Sequence, residues 1–212
     1  EASFYFAMMA LFFRLRDRFG IGMFMCALGV MHFLETYLAS VFYVELPFGL
    51  VSPGSAVLFS GKLVMLLLLY IKEDAATVRQ PIYGLLFGNA LTVGLVLILR
   101  QHQVADLGEG RLPDLAFIDE MGWLMVWGTS LLFVDSILII LLYEKLGRHL
   151  QRMPFVRLAT AVCGVLTFDQ VGFYTALHLL TGAPLAVFLG GWAAKMCAGV
   201  FFSAALLCYL HF

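Results

Sequence analysis

The chain has 212 residues, 62% of them hydrophobic and only 13% charged, with a formal net charge of −1. A soluble domain carries about a quarter charged residues, so a water-soluble globule is excluded. The net charge says nothing about nucleic acid, but no basic patch looks like a phosphate-binding surface, so no nucleic-acid partner is expected. Long apolar runs, in place of the short alternating segments of barrel strands, predict an all-α integral membrane protein.

Residues 2–13 are apolar but too short to span, and Arg14, Arg16 and Arg18 follow them. Residues 1–18 therefore read as an interfacial or linker segment. Residues 19–212 read as one domain, a bundle of six transmembrane helices. The spans are predicted at 19–44, 53–71, 82–99, 121–143, 155–180 and 184–210. Pro53 suits a first helical turn, and the third span is expected to begin after Pro81. The polar segment between spans three and four, with Asp106, Glu109, Asp114, Asp119 and Glu120, reads as a lid or a connector. A weak echo links Lys62 and Tyr70 of the second span to Asp135 and Tyr143 of the fourth, as repeated hairpins would.

Arg14, Arg16, Arg18, Lys72, Arg79, Lys145, Arg148, Arg152 and Arg157 fall at one set of helix ends. Only Arg100 and Arg111 fall at the other. That asymmetry predicts both termini in the cytoplasm, and a multi-pass protein of an inner membrane. Trp123 and Trp127 would then lie near the outer interface. Cys26, Cys163, Cys197 and Cys208 lie in apolar runs without metal-binding spacing, so free, buried thiols are expected.

Five charged residues fall deep within the spans: Glu35, Lys62, Asp135, Asp169 and Lys195. An isolated charge at mid-bilayer costs about 2.5–3.5 kcal/mol on insertion scales, so each must face a partner, water or a ligand. Three carboxylates face two ammoniums, which leaves one negative charge over. Asn89, Trp127 and Trp192 join these as candidate ligand-binding residues. The tryptophans could equally be interface anchors, and Trp192, one turn from Lys195, could stack on a flat ligand. The alternative for the whole set is a group of ion pairs that only lock the helices. His32 and His178 read as hydrogen-bonded packing residues. His32-x-x-Glu35 has no second pair to complete a metal site, so no metal is expected. Gly84-x-x-x-Gly88 reads as close helix packing. No hydrolytic or phosphate-binding motif appears, so neither an enzyme nor a cofactor is expected. The lysine of the last span suggests a retinal Schiff base, but six spans are too few and Gly191 stands where an aspartate would be needed.

Residues 60–89, SGKLVMLLLLYIKEDAATVRQPIYGLLFGN, resemble the vitamin uptake-like sensor family. These are six-helix membrane modules found N-terminal to signalling outputs, and they look related to the queuosine-precursor transporters. Phe168-Asp169-Gln170-Val171-Gly172-Phe173 and Trp192–Lys195 are similar to the transporters' Asp-x-x-x-Phe helix and final lysine helix. The transporters' acidic Asp-x-x-Thr-Glu stretch is not kept, because Asp135 is followed by Ser-Ile-Leu-Ile. The resemblance implies a sensor that binds a small polar or flat molecule in an outward-facing pocket. It also implies a homodimer and a covalently linked cytoplasmic effector beyond Phe212. A transporter of a small heterocyclic metabolite, such as a queuosine precursor, is the alternative.

Overall fold

The structure, a computed structural model, describes residues 1–47, 49–99, 101–102 and 115–211, and the side chains of all of these except 40 and 115–123. One stretch decides the architecture. FSGKLVMLLLLYIK is apolar around nearly its whole circumference, so no side of it prefers water, and such a helix is placed inside a bundle. It forms α4 (Phe59–Lys72), in which every residue from Phe59 to Leu69 is buried. The surrounding elements are α1 (Ala2–Arg14), α3 (Gly22–Val41), α5 (Ala75–Leu99), α6 (Leu115–Gly147), α7 (Pro154–Thr181) and α8 (Leu185–His211), all of which touch α4. The short α2 (Arg16–Phe19) links α1 to α3.

Among the described residues, six helices are long and apolar enough to cross a membrane: Gly22–Ala39, Gly54–Lys72, Ala75–Leu99, Leu124–Gly147, Pro154–Thr181 and Leu185–His211. The molecule is a multi-pass, all-α membrane protein. The outer helices bury one face and turn the other outwards, as with Phe87, Leu91 and Leu95 of α5. Residues 1–18 form α1 and α2, and Tyr5, Met9, Ala10 and Phe13 of α1 are buried in the bundle. Tyr5 meets Phe202 edge-on at 6.0 Å between ring centres, and Phe13 meets Phe24 at 5.2 Å.

The third span begins earlier than Pro81 suggests. Asp74 caps α5, its Oδ1 accepting the Thr77 amide at 2.6 Å, and Pro81 is accommodated inside the helix. That amide holds the Asp74 carboxyl below the ordinary aspartate range. The sign follows: the cap supports the folded state at neutral pH, and its contribution fades as pH falls through the lowered pKa. Asp74→Ala should therefore speed hydrogen exchange in the first turn of α5 at neutral pH, measured at the Thr77 amide.

The first span is also shorter than expected. The chain leaves α3 at Val41 and forms a hairpin of β1 (Val44–Leu46) and β2 (Gly49–Val51), with Glu45 opposite Leu50. Pro47 and the positive-φ Gly49 (φ 135°) suit the turn, but the hairpin is held by α8. A Cβ on Gly190 would lie 2.7 Å from the Leu50 carbonyl oxygen. Gly190→Val should push the hairpin off α8 while the bundle persists, seen as faster limited proteolysis within residues 42–51. After the hairpin, Pro53 opens a widened π-type turn, Gly54–Leu58, that runs into α4.

Two expectations fail for the same physical reason, the outward face of a membrane helix being apolar. A Cβ on Gly84 or Gly88 would meet nothing within 4 Å, so this pair is not a close contact within the chain. All four cysteines are free as expected, but Cys26, Cys197 and Cys208 are exposed on the outer surface, not buried. Arg100, Asp106, Glu109, Arg111, Asp114 and Phe212, and the side chains of Asp119, Glu120 and Trp123, lie outside the described residues.

Candidate functional site

Lys62 lies on α4, which the other helices enclose, and it is wholly buried. An ammonium there needs acceptors from its neighbours. Two come from α3. Glu35 Oε2 accepts at 2.5 Å, and His32 Nδ1 lies 2.8 Å away. Nε2 of the same ring is 2.5 Å from the Asn89 amide nitrogen of α5. That amide also meets Thr129 Oγ1 of α6 at 2.6 Å, and the hydroxyl is anchored on the Met125 carbonyl. The network thus runs across α4, α3, α5 and α6.

A second pair joins the last two helices. Lys195 Nζ donates to Asp169 Oδ2 at 2.5 Å, and both residues are buried. The Phe59 ring lies beside both ammoniums, 5.1 Å from Lys62 Nζ and 5.2 Å from Lys195 Nζ, within cation–π range. Gln170, next to Asp169, donates to the Phe188 carbonyl of α8 and so fixes the register of the two helices.

Asp135 on α6 completes the cluster in an unusual way. It is wholly buried, yet neither of its oxygens has a hydrogen-bond partner among the described residues. Asp169, Lys195 and Lys62 are all close enough for their charges to bear on it. Each of α3 to α8 therefore brings at least one polar side chain to the same depth.

A cleft opens beside these pairs. It holds about 720 Å³ of empty space, its open mouth included. Its polar wall is made by His32, Glu35, Ser55, Asn89, Thr129 and Asp169. Phe59, Phe173, Leu124 and Met125 supply flat and apolar walls, and Gly128 leaves room between them. The lysines use Oε2 of Glu35 and Oδ2 of Asp169, so each carboxylate keeps a second oxygen beyond its ion pair, and both residues line the cleft. Neither lysine lines it. The arrangement can bind, orient and exchange hydrogen bonds. Mostly apolar walls with a few convergent polar groups are the usual make-up of a small-molecule site.

The structure thus gathers Glu35, Lys62, Asn89, Asp135, Asp169 and Lys195 into one cluster and places Trp127 and Trp192 away from it. Trp127 is 46% exposed and donates to the Gly172 carbonyl; Trp192 is 40% exposed and donates to Thr167 Oγ1. His178 bonds the Ala183 carbonyl in the turn before α8, as a packing residue does. His32 is more than packing, because it joins the charged pair to the amide network. Thr129, Phe59 and Phe173 are further members. Thr129 could have been found from the spacing Met125, Thr129, Leu132, Ser136, Ile139, which marks the inward face of α6. An aromatic ring in an apolar span carries no such mark.

A family model described as vitamin uptake-like sensor matches residues 6–210. No curated protein and no solved structure matches the chain.

Proposed function

The chain belongs to the vitamin uptake-like sensor family, and we propose that it senses a small polar or flat molecule bound in the cleft between its helices. The observation that carries this reading is the position of Asp169. It lines the cleft and is at the same time the partner of Lys195 on the last helix. A ligand that takes over hydrogen bonds of Asp169 must disturb the contact that ties α8 to α7. Occupancy is thereby converted into a shift of α8, provided that the molecule binds the two positions unequally.

The direction of access follows from the charge asymmetry of the helix ends. Thr36, Ala39 and Ser55 put the cleft towards the hairpin end, opposite the nine basic residues, so it opens outwards under the positive-inside rule. On this reading the protein sits in an inner membrane with both termini in the cytoplasm and catalyses no reaction. It works as a homodimer and passes the movement of α8 to an effector domain beyond Phe212.

Native mass spectrometry of the protein released from micelles tests the reading. A retained small molecule is expected, and Gly128→Leu should remove it without unfolding the bundle. The nearest atom to a Cβ on Gly128 is 3.9 Å away, on Phe173, so the new side chain enters the cleft and not the packing. Equal retention by wild type and Gly128→Leu would sink the reading.

A further inference from the structure

The cleft is one-sided in charge. Its ionisable wall is made of Glu35, Asp169 and His32, while Lys62 and Lys195 are wholly or almost wholly buried outside it. Both ammoniums are already committed, Lys62 to Glu35 and His32, Lys195 to Asp169. An anion entering the cleft would meet two carboxylates and no available cation. A donor would meet carboxylate acceptors.

The cluster is also short of one positive partner. Two ammoniums satisfy two of three carboxyl groups, and Asp135 is left wholly buried without a hydrogen bond. Such a group is costly in a water-free interior, and a single added cation would complete the set. Building on the sensing reading above, we propose that the cleft selects a flat molecule carrying one positive charge, such as an amidinium or protonated amine on an aromatic ring, and that Asp135 is the positioning residue that makes the selection possible. The cation takes Asp169. Lys195, whose charge bears on the orphan carboxyl as well as on Asp169, then shares its hydrogens with Asp135. No ammonium is stranded, and α8 changes its partner from α7 to α6. The rings of Phe59 and Phe173 provide the faces against which a planar body stacks.

The probes are benzamidine, benzamide and benzoate, which share one ring and differ in charge. Each is titrated into the full chain in micelles, with affinity read from the saturable shift in unfolding temperature. Benzamidine should bind at least tenfold more tightly than the other two. Glu35→Gln and Asp169→Asn should each weaken it tenfold or more. Asp135→Asn should weaken it about tenfold, Asp135→Glu should restore most of the loss, and benzamide should be indifferent to both. Benzoate or benzamide binding as tightly as benzamidine overturns the proposal, as does benzamidine binding that ignores Asp135→Asn. If wild type retains a small molecule, Gly128→Leu loses it, and benzamidine produces no shift, the cation class is overturned while the sensing reading stands.

Discussion

Lys195→Met should destabilise the bundle by about 3–5 kcal/mol, the cost of breaking a buried ion pair from one side. The substitution keeps the volume and removes the charge. Asp169 would then be buried beside Asp135, two carboxyl groups with only Lys62 near both. The loss is not the strength of the pair but the cost of stranding its partner. Two controls separate these. Removing both partners, in Lys195→Met with Asp169→Leu, should recover most of the stability, because neither charge is left behind. The pair between Arg16 and Glu73, at 2.6 Å with side chains 24% and 32% exposed, has comparable geometry at the helix ends. Breaking it should cost no more than about 1 kcal/mol, since water takes over each group. Equilibrium unfolding in mixed micelles measures all three. A single Lys195→Met change as mild as the Arg16 change would mean that water already reaches the Asp169 pair and that the cluster is not a low-dielectric site.

The features that were legible in the sequence are those that depend on the solvent. A bilayer penalises charge and rewards apolar length, so the six spans and the five deep charges stand out from composition alone. The family was recognisable from residues 60–89 and the motifs around Asp169 and Lys195, and the match over residues 6–210 agrees. What was not legible depends on which helix touches which. Lys62 bonds Glu35 and Lys195 bonds Asp169, but five charges on five spans permit other pairings, and only the packing of α3 on α4 and α7 on α8 selects these. The hairpin escaped because its two short strands are held by Gly190 of a helix far along the chain. The start of α5 escaped because Asp74 outweighs Pro81 as a signal once its side chain is seen to cap the helix. From sequence Trp127 and Trp192 could anchor, and Trp192 could also stack on a ligand; the side of the helix they occupy, a matter of packing, turns them outwards.

Asp135→Asn should move stability the other way, raising it by about 1–3 kcal/mol, the cost of a buried polar group left unsatisfied. The two side chains have nearly the same shape, so packing is kept. Their chemistry differs where it matters. A carboxylate only accepts, and Asp169 lies near enough to bond Asp135 only if one of the two carries a donor. Asparagine brings two N–H groups and can give one to Asp169. A residue that is improved by so small a change is kept for something other than folding, and strained or unsatisfied groups gather at functional sites for that reason. The expected signature is therefore an opposed pair of effects in one variant: a higher unfolding temperature without probe, and weaker benzamidine binding. A structural role for Asp135 predicts that both fall together. If Asp135→Asn lowers stability by as much as Lys195→Met does, the carboxyl has a partner in the working protein, and the surplus acceptor on which cation selection depends does not exist.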